Sequence, residues 1–88
     1  MGAIARRIPV GVVGCITPYN FPIVNMAGKL GPALAMGNTV VVRPASQNPL
    51  AVIDLVGILH EVGFPPGVVN VVTGSTPSTG EALIESRI

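Results

Sequence analysis

VGVVGCI, the stretch from Val10 to Ile16, decides how the rest of the chain is read. It is a run of β-branched and small residues with no alternation of apolar and polar side chains, which suits a strand buried on both faces of a parallel sheet. Two further runs have the same character, TVVVR from Thr39 to Arg43 and VVNVV from Val68 to Val72. The starts of the three, Val10, Thr39 and Val68, are 29 residues apart in both intervals. One strand, a helix and two loops fill about 30 residues, so the spacing is that of consecutive βαβ units.

The segments between the runs carry helix signals. Pro22 suits a first-turn position, and Gly37 followed by Asn38 is a stop. Gly31-Pro32 should break or kink this helix, because Pro32 lacks an N–H and its ring crowds the carbonyl of Gly28. In the next segment Asn48 can cap, Pro49 fits the first turn, and Gly63 with Pro65 and Pro66 ends the helix. Leu50, Ile53, Val56 or Gly57, and Val62 mark its expected buried side, with a narrow polar stripe of Asp54, His60 and Glu61. A third helix can open at Ser78, with Glu81 in a capping-box position, and should barely begin a second turn before Ile88. The order is β-α-β-α-β-α, an α/β Rossmann-like parallel sheet with right-handed crossovers. With no linker and no low-complexity tract, residues 1–88 read as one piece of one domain.

Composition narrows the function. The 88 residues are 49% hydrophobic and 10% charged, with five Lys and Arg against four Asp and Glu. A net charge of +1 offers no basic surplus for a row of phosphates, so nucleic acid is not an expected partner. High hydrophobicity with little net charge is the reverse of a disordered composition. The uncharged run between Arg7 and Lys29 is long enough for a bilayer, but Pro9, Pro18, Pro22, Asn20 and Asn25 would leave polar groups unsatisfied in lipid. The start, MGAIARRIPVGVVG, imitates a signal peptide only faintly and reads better as the approach to a strand. A single Cys makes no disulfide framework and, with one His on another element, no metal ligand set. A cytoplasmic, reduced, non-membrane protein is expected. So high an apolar content on so short a chain points to a piece of something larger.

Ligands of open α/β sheets bind outside the carboxyl ends of the strands. There this sequence places Thr17-Pro18-Tyr19-Asn20-Phe21-Pro22, then Arg43-Pro44-Ala45-Ser46, then Thr73 through Gly80. An amide, a guanidinium, hydroxyls and two glycines thus share one rim beside helix N-termini, which suit phosphate. Gly74 and Gly80 would let backbone approach a ligand, though each alone more often marks a turn. The dinucleotide fingerprint G-x-G-x-x-G is absent.

PVGVVGCITPYNFP, KLGPALAMGNTVVVRPA and GFPPGVVNVVTG, in this order, resemble consecutive blocks of the NAD(P)-dependent aldehyde dehydrogenase superfamily. The resemblance runs from about Pro9 to the end and covers the amino-terminal part of that family's coenzyme-binding domain. It implies a nicotinamide dinucleotide partner, an aldehyde substrate oxidised to a carboxylic acid through a cysteine thiohemiacetal, and a homo-oligomeric full-length enzyme. Asn20 matches the family's oxyanion-hole asparagine; without its flanking block it would read as a helix cap. Tyr19 replaces the Trp of many members in the coenzyme cleft, and Thr17, Pro18 and Asn20 line the same wall. Lys29 matches a lysine sometimes given a proton-relay role, and a plain surface lysine is the equal alternative.

The resemblance also places Arg43, Pro44, Ala45 and Ser46 at the adenine-ribose end, with Gly74 and Gly80 near the adenosine. Arg43 stands for a usual Lys, and Ser46 for the Glu of many NAD-preferring members. Without that carboxylate a 2′-phosphate is not repelled, and Arg can bind it bidentately, so NADP should be accepted or preferred over NAD. Cys15 sits inside an apolar strand, outside the family's nucleophile block, and is expected to be structural. The family's nucleophilic cysteine and general-base glutamate have no counterpart in these 88 residues, so an enzyme fragment inactive by itself is expected. A non-catalytic NAD(P)-binding module and a strand-adding interaction piece remain as alternatives.

Overall fold

In the computed structural model, which describes residues 1–75 and 77–86, the three Val-rich runs pair side by side as a parallel sheet in the order β1-β2-β3. The strands are β1 Val12–Ile16, β2 Thr39–Arg43 and β3 Val69–Val71, with α1 Pro22–Ala35, α2 Leu50–Glu61 and α3 Pro77–Glu85 following them in turn. The expected β-α-β-α-β-α order is the one observed. Register places Val13 beside Val40 and Cys15 beside Val42, and Val40 and Val42 beside Val69 and Val71.

The strands are shorter than the apolar runs for local reasons. Gly11 takes φ 109°, a conformation L side chains rarely adopt, and turns the chain before β1 begins. Its carbonyl still accepts the Thr39 N–H at 2.9 Å. Around β3 the ladder bonds run one residue further each way, from Val40 N–H to Val68 O and from Val72 N–H to Val42 O.

One sheet face makes the core. Cys15, Val40, Val42 and Val69 pack with Met26 and Leu30 of α1 and with Val52 and Val56 of α2. The other face is only partly covered: α3 lies on it, close enough that a Cβ on Gly14 would meet Leu83 Cγ at 3.4 Å. Burial therefore alternates along β2, against the expectation of strands buried on both faces. No helix among the described residues is long and apolar enough to cross a membrane.

Several local expectations are corrected. Helix α1 runs unbroken through Pro32. Gly28, whose carbonyl loses its intrahelical partner, is exposed, so water can take that bond. The buried side of α2 is Val52 and Val56, with Leu55 and Leu59 half-buried, whereas Leu50, Ile53 and Val62 are exposed. An apolar residue at almost every position of α2 left the sequence without a periodic stripe to read. Helix α2 opens at Pro49 with no side-chain cap. Helix α3 begins at Pro77, so Ser78 and Glu81 lie inside it, and it runs through Glu85, beyond a second turn.

The helix ends follow the glycine signals. Gly37 (φ 85°) and Gly63 (φ 109°) close α1 and α2, with Gly37 N–H donating to Leu34 O and Gly63 N–H to His60 O. Asn38, which is buried, then ties the end of α1 to the approach of β1. Its Nδ2 donates to Ala33 O and its Oδ1 accepts from Gly11 N–H, both at 3.0 Å.

Candidate functional site at the carboxyl ends of the strands

The loop after β1 is held at the sheet by Thr17, whose N–H donates to Arg43 O at 3.3 Å, one step past the last register pair. Beyond it the chain turns sharply. Phe21 adopts φ 50° and ψ 58°, in the left-handed region where a non-glycine residue stores strain, and Pro22 starts α1 immediately after. Three consecutive carbonyls of this turn are paired. Tyr19 O accepts from Asn48 Nδ2 at 2.7 Å, Asn20 O accepts from Asn25 Nδ2, and Phe21 O accepts from Asn25 N–H at 3.0 Å.

The amide of Asn20 itself takes no part in this network. It does not cap α1, whose N-cap is Phe21, and its side chain is exposed with no partner among the described residues. Asn20 is thus a positioned residue with two free donors at the strand ends. Pro18 and Tyr19 beside it are also exposed.

Next to this turn, the ends of β2 and β3 enclose a cavity of about 240 Å³, lined by Pro44, Ala45, Ser46, Pro49, Thr73, Gly74 and Ser75. Four of the residues expected to bind coenzyme, Pro44, Ala45, Ser46 and Gly74, meet here. Pro49 joins them, a residue the sequence had suggested only as the start of α2. Thr76, in the same expected loop, lies outside the described residues. Gly74 is required by packing: a Cβ on it would sit 2.9 Å from Thr79 Cβ, closer than real contacts allow. Gly80 belongs to α3, meets nothing within 4 Å of an added Cβ, and is not part of the lining.

Three polar atoms at this rim are buried with no hydrogen-bond partner among the described residues: Thr17 Oγ1, Arg43 Nε and Asn48 Oδ1. Two can donate and one accepts, and buried groups of this kind are normally paired. With the cavity and the free donors, the rim fits the phosphate- and ribose-bearing part of a dinucleotide. Two of the helices, α1 and α2, begin from this same edge.

Two candidates lie elsewhere. Lys29 is exposed on α1 with no ion pair to any described residue, a position that suits a solvated lysine and equally a group exchanging protons with bulk water. Cys15 is 1% exposed in β1, and burial raises its thiol pKa, opposed by the smaller effect of the Lys29 charge. A thiol so placed is protonated and enclosed, as a core residue rather than a nucleophile. No cluster of three His, Cys, Asp or Glu exists among the described residues to hold a metal. A larger groove of about 420 Å³ between α1 and α2, bordered by Leu30, Leu34, Leu55 and Phe64, is apolar and lies on the helical side.

A parallel α/β sheet with an unpaired amide, a guanidinium and a glycine-bordered cavity at its carboxyl edge defines a ligand-binding α/β unit. Comparison with known proteins makes this specific: all of residues 1–88 match the Aldehyde dehydrogenase family, and the chain belongs to that family. It is 55% identical over 78 residues to retinaldehyde dehydrogenase 3 of Rattus norvegicus, covering 89% of this chain and 15% of that protein. Its fold superposes on the NAD+ complex of an aldehyde dehydrogenase from Bacillus cereus with a TM-score of 0.87 and 48% identity, over 92% of this chain and 16% of the other. An NADP-dependent enzyme of E. coli matches with a TM-score of 0.83 and 47% identity, over 86% and 16%. The chain therefore spans about one sixth of the length of the proteins it resembles.

Proposed function

We propose that these residues supply the oxyanion donor and part of the coenzyme floor of an NAD(P)-dependent aldehyde dehydrogenase, which oxidises an aldehyde to a carboxylic acid. The observation that carries this reading is the Asn20 turn. Its Tyr19, Asn20 and Phe21 carbonyls are paired while the Asn20 side-chain amide stays free, at the strand ends of a chain that belongs to this family. Asn20 Nδ2 donates to the oxygen of the aldehyde as negative charge develops there, and the hydrogen-bonded turn fixes the backbone that bears this donor. A preorganised donor of this type is worth about 3–4 kcal/mol of barrier.

The coenzyme, when bound, supplies a hydride acceptor. Arg43, Thr17 and the Pro44–Ser46 and Thr73–Ser75 loops hold its adenosine half. NADP is accepted beside NAD, since Ser46, which lines the cavity, is neutral where a carboxylate would repel a 2′-phosphate, and Arg43 ends the strand that leads into this loop. The NAD+ complex of the Bacillus cereus relative and the NADP dependence of the E. coli one support a dinucleotide of either kind. The attacking thiol comes from outside these residues, because Cys15 is enclosed. A reduced thiol buried in the core also fits a cytoplasmic protein, and assembly as a homo-oligomer follows from the family resemblance.

Assay of the enzyme that carries these residues, with an aldehyde and each coenzyme in turn, tests the reading. Aldehyde-dependent reduction of both NAD+ and NADP+ is expected. Absence of turnover with either overturns the proposed activity, and strict NAD specificity overturns the assignment of Arg43 and Ser46.

A further inference from the structure

Asn48 stands one residue before Pro49, the N-cap of α2, and its side-chain amide caps no helix but reaches the loop after β1. It donates through Nδ2 to the carbonyl of Tyr19, 29 residues upstream, at 2.7 Å. The orientation is fixed by chemistry, since a carbonyl oxygen only accepts and the NH2 end must face it. Oδ1 is then left buried and unpaired on the other side. The contact joins the loop that follows the Arg43–Ser46 coenzyme strip to the residue immediately before Asn20.

From this geometry we infer that Asn48 is a positioning residue for the oxyanion donor: by fixing the Tyr19 carbonyl it sets the direction of the Asn20 amide. The inference rests on the reading of Asn20 given above. Tyr19 and Asn20 are exposed, so little packing restrains them. The turn is held from the far loop by Asn48 and from its own helix by Asn25, and its backbone is strained at Phe21. With Asn48 gone, the Asn25 contacts still start α1, but the Tyr19 carbonyl is released and the peptide leading into Asn20 can rotate. The same bond makes the oxyanion turn responsive to the loop that lines the coenzyme cavity through Ser46 and Pro49.

The test is a double-mutant cycle in the aldehyde-oxidising enzyme that carries these residues, with Asn48→Leu and Asn48→Asp made singly and in combination with Asn20→Ala. Both Asn48 variants remove the donor. Asn48→Asp keeps the size of the side chain whereas Asn48→Leu keeps the site uncharged, and the melting temperature of each variant separates a loss of fold from a loss of orientation. Each single variant is expected to lower kcat by roughly 10- to 100-fold with a smaller change in the KM for aldehyde, the cost of a misplaced reacting group. In the Asn20→Ala background neither substitution lowers kcat further, because the group it orients is already absent. A merely structural role would instead lower the melting temperature and reduce activity by the same factor in both backgrounds. If Asn20→Ala loses kcat while the Asn48 variants keep it, or if the losses multiply, the inference is overturned and the role of Asn20 stands. If Asn20→Ala keeps full kcat, the reading of Asn20 falls first and takes this inference with it.

Discussion

The backbone N–H of Gly11 and the Oδ1 of Asn38 are 3.0 Å apart, a bond spanning 27 residues that ties the entrance of β1 to the end of α1. Asn38 is one of the few buried polar side chains, and both ends of its amide are used. Replacing it by Ala leaves a partly buried N–H without a partner. Asn38→Ala should cost about 1–3 kcal/mol of stability. Denaturant melts of the two proteins decide this, and a loss below about 0.5 kcal/mol, the level of an ordinary surface change, would contradict it.

Gly74 and Gly80 should respond in opposite ways to the same substitution. In Gly74→Ala the new methyl group collides with Thr79 Cβ, forcing apart the end of β3 and the start of α3. Coenzyme affinity and stability should both fall. Gly80→Ala adds a methyl in open space within a helix and should stabilise by roughly 0.5–1 kcal/mol. Melting temperatures and coenzyme titrations of both variants check this. Weakened coenzyme binding by Gly80→Ala would show that this glycine also faces the ligand.

Cys15 should behave as a core residue. Burial raises its pKa, so at pH 8 the folded protein should react slowly with a thiol reagent at this position and rapidly once denatured. The pH dependence has a definite sign. The unfolded thiol ionises at its ordinary value and the folded one higher, so the contribution of Cys15 to stability is complete below the ordinary value. It is lost as pH climbs from there through the raised one. The Lys29 charge narrows that window. By the same reasoning these 88 residues alone should oxidise no aldehyde, and measurable turnover by the purified 88-residue polypeptide would contradict the placement of the nucleophile elsewhere.

The three strands were legible because runs such as Val40-Val41-Val42 leave few other assignments, and Gly37 and Gly63 punctuated the helices as read. The turn at Gly11 leaves no mark in an otherwise apolar run, so the run extends two residues before the start of β1. The face of α2 was hidden by its own composition, since almost every position is apolar and only packing decides that Val52 and not Leu50 is enclosed. Pro32 carried a true local cost, but solvent at the exposed Gly28 offsets it, and sequence alone does not show which side of a helix is wet. The rim at Arg43–Ser46 followed from topology. The partner of Asn48 did not, because a bond to a carbonyl 29 residues away leaves no signal in the identity of either residue. The left-handed Phe21 was equally hidden, as nothing in a Phe before a Pro announces it.

Coenzyme choice should be tunable at Ser46. Ser46→Glu places a carboxylate at the lining of the cavity, where it should repel a 2′-phosphate and accept bonds from ribose hydroxyls. The KM for NADP should rise at least tenfold while that for NAD stays level or falls; this corresponds to about 1.4 kcal/mol of discrimination. Equal changes for both coenzymes would place Ser46 away from the ribose.

Asn20 carries a free amide on a turn whose Tyr19, Asn20 and Phe21 carbonyls are paired. The most direct measurement is the kcat of Asn20→Ala for aldehyde oxidation in the enzyme that carries these residues, alongside coenzyme affinity and melting temperature. A fall of about 10²–10³ in kcat, with coenzyme affinity and stability nearly unchanged, is the result expected for a lost oxyanion donor. Full kcat in the folded variant would contradict the account at its centre.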